Sequence, residues 1–509
     1  MHIHDVRRLI QTLVLVLLGA WGSEAAVGAD CVSPSSDVVT GTMLRAGPTT
    51  QSTRLGTLRP GESLPFLGSQ ASWYQVQQAG GSSAFVSKRW TQIASCPPGE
   101  ETGASLSHTP AGPAVSPVVA ATGGGPTPLL SKDHPVEWWF VFKFNSVAFP
   151  GCGAGAAHPA SCPFGGSPKS YSDGQQFVFA SSESPTLKAG AGCAGTSEED
   201  PIGATYDEIY NGRLHYAVWN DQFKGDPNVS GCGANCNSPW GHSKGLVAWD
   251  DSGYGIVMQV TTPSWPGSGN QEHPRQSDGN TLGCVTDDNV MFSQHFFALQ
   301  LTEEDLVKVL RALKNASVGT DPGDVQIVSN GGPADVQALV AALGHQPSSS
   351  KEPTIDMLSS GVRVISKPSA LQVPPWQLVS GLLGSVPLRV ASWWTHPAIN
   401  STTATTSIDC WNGSLVKPGA VDIATSGSWE GTDFGLKGGT PNGNHAKIGV
   451  STDGGSSLAI FGDMNQQGAL SGNCGSSQNG RGGLFFVVQD SDLAASITSL
   501  IAGSSAPAN

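Results

Sequence analysis

The stretch that decides the fold reads Gly-His-Ser-Lys-Gly at residues 241–245, and a second stretch, Asn-His-Ala-Lys-Ile, stands at 444–448. In an extended strand, residues i and i+2 point to the same side, so each copy offers an imidazole and an ammonium group to one pocket. Such a pair suits attack on a phosphate group. A lone His-x-Lys tripeptide occurs by chance in a chain of this size. The sequence around each copy therefore decides whether the two belong to one site. The candidate catalytic residues are His242, Lys244, His445 and Lys447.

The two copies share a layout. Each histidine is followed eight residues later by an aspartate, Asp250 or Asp453, and then by a glycine-containing turn and another apolar run, which predicts a β-hairpin. The histidines lie 445 − 242 = 203 residues apart, which favours two similar α/β halves around one central site. Asp250 and Asp453 either support this site or stabilise the hairpin turns, and turn chemistry favours the second role.

The composition is that of a weakly charged globular protein. Among 509 residues there are 65 Gly and 35 Pro, and only 13% are charged, which indicates many short strands and tight turns. The length predicts more than one domain. The net charge of −14 opposes binding to nucleic acid at neutral pH. Either the acidic surface lies away from the site, or the protein works where carboxylates and histidines are more protonated.

The N-terminal segment has the features of a secretory signal peptide, predicted at residues 1–29. Two arginines precede an apolar run at 9–21, and small residues before Asp30 offer a cleavage site. The run is too short for a stable anchor, so we expect a secreted or periplasmic protein. Asp30, directly before Cys31, makes that cysteine a poor match for a lipidation signal.

The cysteines predict structural disulfides. All ten follow the predicted cleavage site, and an even number favours pairing in an oxidising compartment. A metal site would need Cys-x-x-Cys pairs with further ligands at matching spacing, and the sequence has none, so we expect no metal. Sequence does not determine the connectivity; nearest-neighbour pairing would join Cys31 to Cys96, Cys152 to Cys162 and Cys232 to Cys236.

Residues 30–96 show short alternating strands punctuated by turns. An Arg-x-Gly-Pro turn, a Gly-x-Leu-x-x-Gly segment and the pair Trp73-Tyr74 follow in the order of the bacterial SH3-like domain, a small β-barrel that this unit resembles. The resemblance implies a tether to cell-wall material or another surface partner. Alternatively, Trp73 and Tyr74 only fill a core and the unit is a spacer. Residues 97–130, rich in Pro, Gly and Ser, predict a flexible linker.

Residues 131–509 resemble the deoxyribonuclease II family, the acid DNases of the phospholipase D superfamily. The resemblance implies a pseudo-dimeric fold of two α/β halves, about 131–315 and 316–509, which share one site. The motifs that carry it are Val-Glu-Trp-Trp-Phe-Val-Phe-Lys at 136–143, Tyr216 with Asn-Asp-Gln at 220–222, Gly-His-Ser-Lys-Gly-Leu-Val at 241–247, Gly-Asn-Thr-Leu-Gly-Cys at 279–284, Asn-His-Ala-Lys at 444–447, Gly-Asp-Met-Asn at 462–465 and Arg-Gly-Gly at 481–483.

Two histidines and two lysines can cleave a phosphodiester without metal. One neutral imidazole attacks phosphorus, a protonated one donates to the leaving oxygen, and water then hydrolyses the phosphohistidine. The lysines would neutralise charge on the non-bridging oxygens, and Asn465 would add a hydrogen bond. One histidine must be neutral and one charged, which predicts a bell-shaped pH profile with an acidic to near-neutral maximum. We expect Asp463 to raise the pKa of the acid.

The resemblance also implies DNA as substrate, no cofactor, and products with 3′-phosphate and 5′-hydroxyl ends. Lys143, Asn220 and Arg481 are the predicted substrate-binding residues, although Lys143 equally fits a solvated strand end and Arg481 a brace for the last turn. The sequence departs from the family at 259–260, where Gln-Val replaces His-Ser. We therefore expect His445 to be better supported than His242.

Amphipathic segments predict helices. Thr302 to Asp305 resembles a capping box ahead of leucines at helical spacing, and 335–343 and 492–501 follow the same period. Two functional alternatives remain. One is a phospholipase D-like phosphodiesterase for lipids or small diesters, and the other is a catalytically silent wall-binding protein.

Overall fold

The computed structural model describes residues 30–35, 42–49, 52, 54–59, 61–70, 73–78, 83–95, 125–145, 148–149, 176–191, 194–195, 198–211, 213–222, 236–262, 292–325, 327–439 and 443–509. The chain divides into two compact units, Met1–Gly112 and Pro113–Asn509. The predicted signal peptide at 1–29 and the motif at 279–284 lie outside the described residues.

The first unit is a sheet of seven strands around a small apolar core. Its strands run in the order β3-β2-β6-β5-β4-β1-β7. Trp73 is buried, and Tyr74 packs against a core that includes Val76 and Val86. The aromatic pair therefore contributes to packing. The strands are β1 Asp30–Pro34, β2 Thr42–Arg45, β3 Arg54–Leu58, β4 Leu64–Gln70, β5 Trp73–Gln77, β6 Ser83–Ser87 and β7 Thr91–Ser95.

The second unit contains two large sheets. The first has eight strands in the order β10-β9-β8-β14-β13-β12-β11-β15. Its central strands are buried along their whole length because they are covered on both faces. The strands are β8 Trp138–Lys143, β9 Phe177–Ser181, β10 Ser184–Ala189, β11 His215–Asn220, β12 Lys244–Trp249, β13 Gly255–Val260, β14 Gln294–Leu301 and β15 Val328–Ser329.

The second sheet has seven strands in the order β16-β17-β24-β23-β22-β18-β19, and β20 and β21 form a separate hairpin. Phe461 of this sheet stacks on Phe140 and Phe297 of the first, with ring centroids 4.4 and 4.7 Å apart. The two sheets therefore pack against each other. The strands are β16 Thr354–Met357, β17 Arg363–Lys367, β18 Leu388–Ala391, β19 Val421–Ile423, β20 Ser426–Trp429, β21 Thr432–Gly435, β22 Ile448–Ser451, β23 Leu458–Gly462 and β24 Gly483–Gln489.

The helices confirm the mixed α/β class and the three helical predictions. Thr302 Oγ1 accepts a hydrogen bond from Asp305 N at 3.2 Å, and Asp305 Oδ2 accepts one from Thr302 N at 3.3 Å, which completes the capping box. The helices are α1 Pro201–Asn211, α2 Glu303–Ala316, α3 Ala334–Ala341, α4 Pro375–Leu382 and α5 Ser491–Leu500.

The two sheets repeat one arrangement of strands. Neighbouring strands β8-β14-β13-β12-β11 in the first correspond to β17-β24-β23-β22-β18 in the second. Each series has the same chain order, and each ends in a helix, α2 after β14 and α5 after β24. The first His-x-Lys runs into β12 and the second into β22, so the two motifs have corresponding positions.

The domain bounds given from the sequence remain predictions, and two contacts lie across them. Strand β15 lies beyond residue 315, yet it pairs with β11 of the first sheet. Backbone hydrogen bonding sets this pairing, which hydropathy does not reveal. Leu129 and Leu130, assigned to the linker, already pack on the second unit: Leu129 N donates to Thr205 Oγ1 at 3.0 Å, and Leu130 is buried.

Disulfide bonding is present within the described residues. Cys410 and Cys474, 64 positions apart, form a disulfide that the nearest-neighbour pairing does not include. Cys31 and Cys236 are also disulfide-bonded. Cys96, Cys152, Cys162 and Cys232, which the predicted pairs require, lie outside the described residues.

Candidate active site

Each His-x-Lys motif is fixed by the opposite sheet. The backbone N–H of His242 donates to the carbonyl of Gly482 at 2.8 Å, just before β24. The backbone N–H of His445 donates to the carbonyl of Ser293 at 2.7 Å, just before β14. The two contacts are reciprocal, so each motif is held in part by the opposite half.

The four predicted catalytic residues form one electrostatic cluster. Burial lowers the pKa of His445 well below its ordinary value, and the charges of Lys447, Lys244 and His242 lower it further. Burial likewise lowers the pKa of His242, against the opposing effect of Asp221. Both imidazoles are half-buried and are neutral at neutral pH.

The His242 ring has a defined tautomer. Its Nδ1 lies 2.8 Å from the backbone carbonyl oxygen of Asp463, which only accepts, so Nδ1 carries the proton. The lone pair of the neutral ring is then on Nε2. In this tautomer Nε2 carries no proton.

The His445 ring is held by aromatic contacts. It stacks on Phe292 at 4.5 Å between centroids, and Trp393 meets it edge-on at 4.3 Å. Its Nε2 is buried and has no hydrogen-bond partner within the described part of the chain. The two histidines are therefore held by different means, although their motifs have corresponding positions.

Asp221 is the carboxylate that supports the first motif. Its Oδ1 accepts from Lys244 Nζ at 2.5 Å, and its Oδ2 accepts from an Nη2 of Arg481 at 2.9 Å. The side chains of Asp221 and Lys244 are 2% and 4% exposed. Burial alone would raise the pKa of Asp221, but the charges of Lys244, His242 and Arg481 outweigh it and hold the pKa below its usual range. Asp221 is ionised.

Arg481 braces the loop that leads into the first motif. Its guanidinium donates to the carbonyls of Trp240 at 3.1 Å and Gly241 at 2.7 Å, and also to that of Cys236. The bracing role weighed for Arg481 from the sequence was at the last turn, whereas these contacts are made to the loop at 236–241. A phosphate-binding role for this residue remains a prediction.

Asp463 links the two halves through the first motif. Its Oδ2 accepts from Ser243 Oγ at 2.6 Å and from Leu484 N at 3.1 Å, and Ser243 in turn accepts from Trp219 Nε1 at 2.8 Å. Burial raises the pKa of Asp463 to about 7. Burial also lowers the pKa of the neighbouring Lys447 to about 7. Lys447 Nζ donates to the carbonyl of His445.

Two sequence-based expectations concern the support of the histidines, and both remain predictions. The carboxylate that acts on His242 is Asp221, and Asp463 offers that ring its backbone carbonyl. The side chain and carbonyl of Asp463 serve the first motif, although the residue follows β23 of the second sheet. Support crosses between the halves, which a comparison of local motifs does not reveal.

The remaining predicted residues near the motifs are buried. Asn465 donates from Nδ2 to Gln467 Oε1 at 2.9 Å, and its Oδ1 lacks a hydrogen-bond partner among the described residues. Lys143 donates from Nζ to the carbonyl of Phe292 at 2.8 Å, and its charge acts on His445. Asn220 is opposite Lys244 in the β11–β12 register, and its Oδ1 accepts from Gln222 N at 2.8 Å.

The structure does not bring Asp250 and Asp453 to the site, which corrects their assignment as supporting residues. Asp250 follows the far end of β12, where its Oδ1 accepts from Ser252 N and Tyr254 N at 2.9 and 3.1 Å. Asp453 accepts from Ser456 N at 3.0 Å in the corresponding turn. Both carboxylates stabilise hairpin turns, as the turn chemistry favoured.

Sequence reasoning missed Asp221 and His295 as site residues. Asp221 stands one residue beyond the strand partner of Lys244, a position that the hairpin register could have indicated. His295 is fully buried, and its Nδ1 accepts from Lys447 N at 3.1 Å. Gln259 stands at a position where the sequence departs from the family pattern. Its Oε1 lies 3.4 Å from Nε2 of His295, so it contacts the histidine that supports the second motif.

Across the described residues, no group of three or more His, Cys, Asp or Glu has the arrangement needed to hold a metal ion. In the same part of the chain, no helix is long and apolar enough to cross a membrane.

Comparison with known families confirms the resemblance and the order of its two parts. Residues 40–92 match the bacterial SH3 domain, and residues 128–320 match deoxyribonuclease II. The second match contains His242 and Lys244 and ends before the second motif. It supports a hydrolase of the nuclease or phosphodiesterase type. A search of curated proteins found no match. The SH3 match and the disulfide fit an exported protein.

Proposed function

We propose that residues 131–509 form a metal-independent endonuclease that hydrolyses DNA phosphodiester bonds at one site shared by two halves of a phospholipase D-like pseudo-dimer. The observation that carries this proposal is the reciprocal pair of hydrogen bonds from His242 N to Gly482 O and from His445 N to Ser293 O, 2.8 and 2.7 Å long. Gly482 directly precedes β24 and Ser293 directly precedes β14, which are corresponding strands of the two sheets. Two unrelated His-x-Lys tripeptides would not be bound at such corresponding positions.

His242 is the nucleophile in this proposal. Its proton is on Nδ1, so the Nε2 lone pair attacks phosphorus while the bond from phosphorus to O5′ breaks. His445, in its protonated form, donates a proton to the leaving O5′. The product of this step is a phosphohistidine that carries the 3′-nucleotide and a free 5′-hydroxyl.

The second step hydrolyses the phosphohistidine. Neutral His445 takes a proton from water, the water oxygen attacks phosphorus, and the electron pair of the P–N bond returns to His242. The products carry 3′-phosphate and 5′-hydroxyl ends. Lys244 and Lys447 stabilise charge on the non-bridging oxygens; Asn465 donates to one of them, while Lys143, Asn220 and Arg481 contribute to substrate binding.

Plasmid digestion with EDTA present, at several pH values, tests this function. Wild-type protein should nick the plasmid, whereas His242→Ala and His445→Ala should each lose at least about a thousandfold in rate, as expected when a group that forms or breaks a bond is removed. His345→Ala is the matched control because His345 is exposed. Activity abolished by EDTA, or activity that survives both substitutions, would overturn the proposal.

The product ends separate this activity from the alternative of a lipid or small-diester phosphodiesterase. Cleaved oligonucleotides should accept phosphate from a kinase at the new 5′ end directly, and should need phosphatase treatment at the new 3′ end before extension. Faster turnover of a phosphatidyl substrate than of DNA would favour the alternative.

We further propose that the SH3-like unit tethers the exported enzyme to cell-wall material. The exposed apolar side chains of this unit include Leu67, Trp90 and Ile93, at 49%, 43% and 43% exposure. Retention of the full chain on purified wall polymer, lost in Trp90→Ala with Ile93→Ser, would support the tether. No retention of wild-type protein would return the unit to the role of a spacer.

A further inference from the structure

The two halves differ at one corresponding position beside the motifs. In the first sheet Asn220 pairs with Lys244, and Asp221 follows. In the second sheet Ala391 pairs with Ile448, so one more step of register sets Ser392 opposite Lys447, and Trp393 follows. Trp393 therefore has the position that Asp221 has in the first half. The first half thus has a carboxylate at this position, and the second half has an indole.

Trp393 belongs to an aromatic group around His445. Its ring lies 4.3 Å from the His445 ring and 5.7 Å from that of Phe292, measured between centroids. Both Trp393 and Phe292 are half-buried, unlike the core tryptophan Trp376, which is fully buried. Both rings are therefore partly exposed beside the proposed acid.

The segment that carries Trp393 is held in place. Trp394, also half-buried, donates from Nε1 to the carbonyl of Ile399 at 3.0 Å. Gln467 Nε2 donates to the carbonyls of Thr395 and His396 at 3.1 and 3.2 Å. Gln467 also accepts from Asn465, which ties this segment to the proposed phosphate site.

Close packing and a cation complete the group. A Cβ on Gly438 would lie 2.5 Å from the Trp393 ring, so only glycine lets the backbone support the indole at this distance. The neighbouring Lys437 is exposed, and its Nζ lies 5.8 Å from the Trp394 ring centroid. Aromatic faces beside a cation are the usual means of binding unstacked nucleotides.

We propose that Phe292 and Trp393 form a nucleobase subsite for the nucleotide whose O5′ leaves. This inference rests on the proposed function. His445 is the proposed acid for the leaving O5′, so the base that lies beside His445 belongs to the nucleotide on the leaving side of the scissile bond. Lys437 contacts the backbone of the same strand. A base that stacks here has left its duplex neighbours, so the substrate is single-stranded or locally opened DNA.

Oligonucleotides with one cleavable phosphodiester test the subsite. In wild-type protein, an abasic residue on the leaving side should lower kcat/KM by roughly 5- to 100-fold, the range for loss of one base–aromatic stack, and an abasic residue on the other side should lower it less. Trp393→Ala should lower the rate on the intact oligonucleotide and make the leaving-side abasic change silent. Trp393→Phe should restore part of the loss.

The outcomes separate the subsite from a structural role and from the proposed function. Equal losses by Trp393→Ala on intact and leaving-side abasic substrates would show that the indole only holds His445, and would overturn the subsite. Equal wild-type rates on all oligonucleotides would overturn it without any variant. Failure of wild-type protein to cleave any oligonucleotide would instead contradict the proposed function. Met357→Ala, at an exposed apolar position of the second unit, is the control and should change no rate.

Discussion

His242 donates a hydrogen bond from Nδ1 to the backbone carbonyl of Asp463, 2.8 Å away and 221 positions later in the chain. His445 has aromatic neighbours in place of such a bond to its Nε2. The pair is therefore asymmetric, although the two strands that carry it correspond. A fixed tautomer suits a nucleophile, whereas a nitrogen without a hydrogen-bond partner can accept and release a proton. Removal of each histidine should therefore block a different step of the reaction.

We expect His445→Ala to trap the intermediate and His242→Ala to prevent it. With thymidine 3′-(p-nitrophenyl phosphate), the leaving group needs no proton, so His445→Ala should release about one p-nitrophenolate per protein in a burst and then stall. His242→Ala should give no burst. Stopped-flow absorbance measures the amplitude, and a burst from His242→Ala alone would reverse the assignment.

The pH profile should lie on the acidic side. Burial lowers the pKa of both histidines below 6.5, so the state with one neutral and one charged ring is most populated below that pH. We expect kcat/KM for DNA to be maximal below pH 6.5 and to fall about tenfold per pH unit above it. The fall should disappear with the p-nitrophenyl substrate. An optimum above pH 7 on DNA would contradict this assignment of the acid.

Asp221 should be the most costly carboxylate to remove. It neutralises Lys244 and Arg481 in a buried cluster, and Asp221→Ala leaves two cations without their partner. Breaking a buried ion pair costs about 3–5 kcal/mol, so the free energy of unfolding should fall by that amount. Asp251→Ala is the control because its side chain is 97% exposed. Urea unfolding measures both, and equal small losses would show that the cluster is not stabilising.

Local sequence features were enough to predict the hairpins, the capped helix and the paired motifs. Each depends on residues close in the chain, such as Thr302 with Asp305 or the turn that contains Asp250. What could not be predicted depends on contacts between the halves. Asp463 accepts a hydrogen bond from Ser243 of the first motif, and Trp393 packs on His445. Both contacts join segments whose relative placement follows from sheet packing alone.

Asp463 should make stability depend on pH. Burial raises its pKa in the folded state to about 7 from an ordinary 3.8, so the folded protein holds a proton that the unfolded chain has lost between these values. Its contribution is fully present below about pH 4 and is lost as the pH rises through about 7. Relative to Asp463→Asn, the wild type should lose at most about 4 kcal/mol over this range. Asp433→Asn, at an exposed position, should run parallel to the wild type.

The turn aspartates should affect stability and leave catalysis unchanged. Asp250 and Asp453 accept backbone hydrogen bonds in the β12–β13 and β22–β23 turns, at the strand ends away from the His-x-Lys motifs. Asp250→Ala and Asp453→Ala should each lower the free energy of unfolding by about 1 kcal/mol, the net worth of such bonds. Asp250→Asn, which keeps an oxygen acceptor, should recover most of that loss. Because neither carboxylate reaches the motifs, kcat/KM on DNA at the optimum pH should stay within about twofold of the wild type, within the error of rate comparisons between variants. A tenfold loss of kcat/KM without loss of stability would return these residues to the site.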